Sequence, residues 1–128
     1  MTNLFKYFFY TSVLTLIIIS LYPGSLIGFL LYNDLYKQVN LVENPFGTSF
    51  NHFISYLYIS ILGFFLHMKS EKFKKIVYLM FALSVILELL HFIIPVRALE
   101  FYDLVANFLG VLVAYFLVKI YLHFIKYE

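Results

Sequence analysis

The sequence is dominated by four apolar runs that are each long enough to cross a lipid bilayer. They occupy about residues 4–22, 50–67, 74–94 and 101–122, and a helix needs roughly 20 apolar residues to cross the hydrocarbon core. Helices are expected because open strands would leave backbone N–H and C=O groups unpaired in lipid. We therefore predict an all-α fold, an integral membrane four-helix bundle, with residues 1–128 forming a single transmembrane domain.

Composition supports a lipid-embedded chain and excludes several kinds of chemistry. Hydrophobic residues make up 63% of the 128 residues and charged residues only 12%, which is more apolar surface than a soluble core of this size can bury. The chain has no cysteine, so disulfides, Cys-ligated metals and thiol catalysis are excluded. The net charge of +2 is too small to indicate nucleic acid, and membrane lipid is the expected partner.

The connection between the first two spans is long, and its two halves differ. Residues 25–36 are apolar but too short to cross the bilayer, which predicts a short interfacial or re-entrant helix. Residues 37–49 contain turn-forming residues such as Asn44-Pro45 and should form a loop. Pro23-Gly24 and Pro95 are expected to end the first and third spans.

Basic residues are strongly biased to one side of the predicted bundle. Seven of the nine lie near span ends that face the same way: Lys6, Lys69, Lys72, Lys74, Lys75, Lys119 and Lys126. Because cytoplasmic loops carry an excess of lysine and arginine, this side is predicted to be cytoplasmic. Both termini would then lie inside, and the 23–49 and 95–100 connections outside.

Polar side chains within the spans gather toward the predicted outer side. An ionisable group at the bilayer centre costs about 2.5–3.5 kcal/mol on insertion scales, so such groups usually face the bundle interior and pair with one another. Helical spacing gives each relevant span one polar face, and the residues expected to converge are His52, Glu88, His91, Asp103 and Asn107. A structural network that fixes helix packing and a functional site are both open interpretations.

Small residues on the fourth span indicate close helix packing. Ala106, Gly110 and Ala114 recur every four residues, and such a series lets a neighbouring helix approach.

Arg97, in the outer turn before the fourth span, is the only arginine. Its planar guanidinium suits a carboxylate or phosphate. Alternatively, it caps the end of the third span and pairs with Glu100 or Asp103.

A metal site is geometrically possible at these positions because histidine and carboxylates bind zinc or iron. Its ligands would be His52, Glu88, His91 and Asp103. The chain has no H-E-x-x-H or comparable spacing, nor a phosphate-binding loop or nucleophile elbow. We therefore predict no metal and no cofactor.

The stretch E-L-L-H-F-I-I-P-V-R-A-L-E-F-Y-D-L-V-A-N-F-L-G resembles the carboxy-terminal signature of the VanZ-like family. The matching positions are Glu88, Pro95, Arg97, Asp103, Asn107 and Gly110. His52-Phe53 also resembles the family's His-Phe element. The chain differs where family members commonly have Asp-Lys, here Thr48-Ser49, and where they commonly have Gln, here His91.

The resemblance implies a four-span protein of the bacterial inner membrane, from a family named for low-level resistance to the glycopeptide teicoplanin. Our first hypothesis is binding of an anionic envelope component, a lipid headgroup or a cell-wall precursor, with Arg97 as the anion contact and Glu88, Asp103, Asn107 and His52 around it. The second is an accessory subunit of a larger membrane complex. The third is an enzyme acting on lipid-linked substrates, with Glu88, His91 or Asp103 as general base.

Overall fold

The computed structural model describes residues 3–40 and 43–125, and within these ranges the chain is all-helical. The predicted all-α class is confirmed. The helices are α1 (Asn3–Leu21), α2 (Leu26–Tyr32), α3 (Ser49–His67), α4 (Phe73–Leu90) and α5 (Phe101–Ile125).

Three of these helices, α1, α3 and α5, are long and apolar enough to cross a membrane. The fourth long helix, α4, has 18 residues and carries Lys74, Lys75 and Glu88. The two lysines lie in its first turn and the glutamate in its last turn, so the stretch between them is uncharged. A fourth crossing by α4 stays a prediction.

The short helix in the first connection is smaller than predicted. Ser25 begins it, because its hydroxyl accepts a hydrogen bond from the Gly28 N–H at 2.9 Å. Asn33 ends it in the left-handed conformation (φ 56°), and the Asn33 N–H donates to the Phe29 carbonyl at 2.8 Å. Asp34 then accepts the Tyr36 N–H at 2.8 Å. These polar residues stop the helix at Tyr32, short of residue 36.

The third span also ends earlier than predicted. Helix α4 stops at Leu90, and the next three residues, His91 to Ile93, form tighter turns in which each N–H donates three residues back at 3.0–3.2 Å. Pro95 follows these turns. His91 therefore lies just beyond α4 and not within it.

The core of the bundle forms where α3 and α5 pack together, the most extensive helix contact in the described chain. Its buried side chains include Tyr56 and Phe64 from α3, Met80 from α4 and Val111 from α5, and α1 adds Phe9. Gly110 lies at the α3–α5 contact: a Cβ there would be 2.6 Å from the carbonyl oxygen of Phe53.

The other small residues of α5 have different surroundings. Ala114 is fully buried, whereas Ala106 is half-buried one turn before Gly110.

Lysines lie at one end of the bundle. Lys69 and Lys72 are in the α3–α4 link, and Lys119 of α5 lies with its Nζ 5.6 Å from the ring centre of Phe73. The α1 residue Phe9 contacts the His67 ring at the end of α3, so the start of α1 lies there too. Lys126 lies outside the described residues. We call this the lysine end, and its cytoplasmic placement stays a prediction.

Candidate functional site

The polar side chains of α3, α4 and α5 meet at the end of the bundle opposite the lysine end. His52 comes from the first turn of α3, Glu88 from the last turn of α4, and Asp103 and Asn107 from the first two turns of α5; His91 follows α4. We call these five residues the polar cluster. All but His52 are buried, and the Glu88 and Asn107 residues are each only 1% exposed.

Helix geometry explains why these residues meet. Asp103 and Asn107 are four residues apart on α5 and share a face, while Glu88 and His91 are three apart. Since α3 and α5 begin at the end of the bundle where α4 finishes, residues from these turns lie at one level.

Asn107 joins the two halves of the polar cluster. Its Nδ2 donates to Glu88 Oε2 at 3.4 Å, and its Oδ1 lies 3.1 Å from His52 Nδ1. The Glu88 carboxylate fixes this amide orientation, because the opposite one would place two oxygens together. His52 Nδ1 must therefore carry the proton, and His52 Nε2 faces Asp103 Oδ2 at 3.4 Å.

Glu88 is held on its other oxygen by two further groups. Its Oε1 accepts the backbone N–H of Glu100 at 3.2 Å and lies 3.2 Å from His91 Nδ1. His91 Nε2 lies 3.0 Å from the carbonyl oxygen of Ser20, which only accepts, so Nε2 is the donor. His91 thus connects the end of α4 to the end of α1.

Ser49 also belongs to this network, although it was not predicted as a site residue. Its hydroxyl donates a short hydrogen bond to Asp103 Oδ1. A signal was present: Ser49 precedes His52 by three residues, on the same helical face. It also occupies one of the two positions where the VanZ-like pattern has a charged pair.

Arg97 contacts α1, which neither sequence-based interpretation expected. Its Nε donates to the Tyr22 carbonyl at 3.2 Å and its Nη2 to the Ile19 carbonyl at 2.9 Å. These are carbonyls at the end of α1, which lack helical partners. Within the described chain, Arg97 forms no ion pair with either Glu100 or Asp103.

Burial and the neighbouring carboxylates act on the pKa of Arg97 in opposite directions. Burial lowers the pKa of its guanidinium from the ordinary value, while the negative charges of Glu88 and Asp103 raise it. Arginine remains protonated in proteins at physiological pH, so Arg97 is a fixed positive charge beside the polar cluster.

A pocket of about 170 Å³ lies between the end of α1, the α2 segment and the start of α3. Three of its lining side chains are basic: His52, His91 and Arg97. Ser25, Thr48, Ser55 and Tyr56 are among the other lining residues. Glu88, Asp103 and Asn107 do not line it and lie behind the two histidines.

The sequence model of the VanZ/LLP1 family matches residues 7–122, nearly the whole chain. The chain belongs to the VanZ/LLP1 family. The resemblance seen between Glu88 and Gly110 is therefore confirmed, and every residue of the polar cluster lies inside the VanZ/LLP1 match. Comparisons with curated proteins and with solved structures each return no significant match.

A second and larger pocket of this VanZ/LLP1 chain, about 710 Å³, lies between residues 45–53 and the first half of α5. Most of its wall is apolar, with Phe46, Phe50 and Phe53 facing Val105 and Leu109. Glu100 and Ala106 also line it, so Ala106, which was predicted to pack against a helix, borders this groove.

Other polar residues of the VanZ/LLP1 fold remain apart from the polar cluster. Ser84 is buried, but its hydroxyl donates to the Phe81 carbonyl of its own helix at 2.8 Å. In the part of the chain that the structure describes, Ser60 Oγ and His67 Nε2 are buried without a hydrogen-bond partner. His67 packs against the Phe9 and Tyr10 rings at the lysine end.

Proposed function

We propose that this VanZ/LLP1 membrane protein binds the anionic group of a bacterial envelope component, a lipid headgroup or a cell-wall precursor, in the pocket beside Arg97. The observation that carries the proposal is the composition of the pocket wall, which includes Arg97, His52 and His91 and does not include Glu88 or Asp103. A link to glycopeptide resistance is part of the proposal.

Arg97 supplies the fixed positive charge. Its two bonds to α1 use two of five N–H donors, so further donors remain for an anion. Guanidinium groups bind carboxylate and phosphate in a planar, two-pronged arrangement that an ammonium does not offer. The half-buried setting strengthens such a contact, because fewer water molecules screen the charge.

Glu88, Asp103 and Asn107 act as positioning residues. Asn107 and Asp103 hold the His52 ring from behind, and Glu88 holds His91. This arrangement supports a revised assignment of roles, in which Arg97 contacts the anion, the two histidines form part of the pocket wall, and the carboxylates hold the histidine rings in place.

Native mass spectrometry of the detergent-solubilised protein tests the proposal. With phosphatidylglycerol and phosphatidylcholine added in equal amounts, the wild type should retain phosphatidylglycerol preferentially, and Arg97→Ala should lose at least tenfold in the bound anionic fraction. Lys37→Ala is the matched control, because Lys37 is also basic and near the pocket end of the bundle but is exposed and does not line the pocket.

Arg97→Ala removes two hydrogen bonds to α1 as well as a positive charge. A second variant therefore distinguishes loss of anion binding from loss of support for α1. Ser55→Leu fills the pocket while leaving Arg97 and its partners in place, and it should reduce retention of phosphatidylglycerol similarly. Equal retention by the wild type, Arg97→Ala and Ser55→Leu would contradict the proposal and favour an accessory subunit.

A further inference from the structure

Three side chains of the polar cluster offer metal-ligand atoms at one point. One atom each from His52, Glu88 and Asp103 lies within 4.8 Å of the other two. The residues come from α3, α4 and α5, so a single ion would join three helices. Their spacing in the sequence matches no metal motif, and the fold alone brings them together.

Two buried carboxylates meet at this point. Glu88 and Asp103 are 1% and 5% exposed, and in the described ranges their only ion-pair partners are histidines. A buried carboxylate is costly unless it is paired or coordinates a metal, and the cost rises within a membrane. A divalent cation would neutralise both carboxylates at once.

The tautomer of His52 gives a second, independent reason. Because Nδ1 donates its proton to Asn107 Oδ1, Nε2 is the ring nitrogen that faces Asp103 Oδ2, at 3.4 Å. Histidine ligands of metals typically donate their other ring N–H to an oxygen in this way.

We propose that His52 Nε2 and one carboxylate oxygen each of Glu88 and Asp103 bind a divalent transition-metal ion of the zinc class. Zinc takes histidine nitrogen at about 2.0–2.1 Å and carboxylate oxygen at about 2.0–2.2 Å, so tetrahedral ligand atoms lie roughly 3.3–3.6 Å apart. The His52–Asp103 separation of 3.4 Å already fits, and Glu88 needs a shift of about 1 Å.

The surrounding residues complete the site. Asn107 orients the His52 ring, Ser49 donates to the second oxygen of Asp103, and His91 contacts Oε1 of Glu88. Hydrogen bonds of this kind hold metal ligands in position. His52 lines the 170 Å³ pocket and its side chain is 26% exposed, which gives an ion a route to the site. The proposal does not depend on anion binding by Arg97.

The first experiment is zinc binding by purified protein that has been stripped with a chelator. Isothermal titration with Zn²⁺ should give one tight site per chain, and Glu88→Gln and Asp103→Asn should each weaken it at least tenfold. Glu100→Gln is the matched control, because Glu100 is an acidic residue at the same end of the bundle and lines the other pocket. Wild-type affinity in both ligand variants would overturn the proposal.

A second measurement needs no variant. X-ray absorption of the zinc-loaded wild type should show one imidazole and oxygen donors around the ion. Two or more imidazoles, or no zinc retained after dialysis, would overturn the assignment of His52, Glu88 and Asp103 as the ligand set.

Discussion

Asn107 is the residue on which the polar cluster depends most. Its amide donates to Glu88 and accepts from His52, so one short side chain satisfies groups on two other helices. An aspartate would repel Glu88, and an aliphatic residue would leave Glu88 Oε2 and His52 Nδ1 without the hydrogen bonds that Asn107 makes. An amide can donate and accept at the same time without adding charge.

Asn107→Leu should lower the free energy of unfolding by about 1–3 kcal/mol, because a buried polar group that loses its partner costs about that much. Unfolding by sodium dodecyl sulfate in mixed micelles measures the change. Ser60→Ala is the control: Ser60 is fully buried and its hydroxyl has no partner among the described residues, so stability should stay the same or rise. A smaller loss for Asn107→Leu than for Ser60→Ala would contradict this account.

Residue-level contacts were also the least predictable part of the molecule. Helical spacing predicted the polar faces that carry Glu88 and Asn107, but it held no information on the partners of Arg97. Those partners are backbone carbonyls 75 and 78 residues away in the chain. Carbonyl groups are the same at every residue, so no side-chain pattern marks Ile19 or Tyr22 as acceptors.

At the scale of helices, the closest packing occurs where Gly110 of α5 meets α3. A Cβ at this position would lie 2.6 Å from the Phe53 carbonyl oxygen and 2.9 Å from the Leu57 nitrogen. Both atoms belong to the backbone, so a side-chain rotation cannot relieve the contact. The small residue brings His52 close enough to reach Asp103 and Asn107 one to two turns earlier on α5.

Gly110→Ala should therefore separate α3 from α5 and destabilise the bundle by about 1–3 kcal/mol, the usual cost of overpacking. The same detergent-unfolding assay measures it. Val113→Leu is the control, because Val113 lies on α5 with 36% of its surface exposed and should change stability little. If Gly110→Ala were as stable as the wild type, the close contact would not be rigid.

The presence of the helices and the positions of their ends depended on different features of the sequence. Long apolar runs predicted the four long helices within a few residues at most ends, because burial and lipid both select such runs. The ends of α2 and α4 depended on local chemistry instead. Asn33 stopped α2 through its left-handed backbone, and the turns after Leu90 moved His91 outside α4.

At the scale of the whole molecule, the two ends of the bundle differ in charge. One end carries Lys69, Lys72, Lys74, Lys75 and Lys119, and the other end carries the polar cluster with its pocket. Positive residues favour the cytoplasm, so the pocket end is predicted to face outward. This orientation is testable because the chain has no cysteine to interfere with labelling.

In intact cells, a membrane-impermeant maleimide should label Tyr36→Cys and should not label Lys74→Cys. Both positions are exposed, and they lie at opposite ends of the bundle. After permeabilisation, both variants should react equally, which controls for protein level and thiol reactivity. The reverse pattern in intact cells would place the pocket in the cytoplasm.

Arg97 and His91 both donate hydrogen bonds to the end of α1, so in the proposed anion complex this helix end competes with the anion. An anion that draws the guanidinium toward itself weakens the hold on the Ile19 and Tyr22 carbonyls. By thermodynamic reciprocity, whatever loosens α1 then alters affinity for the anion to the same degree. The position of α1 and the occupancy of the pocket would thus be coupled in a single equilibrium.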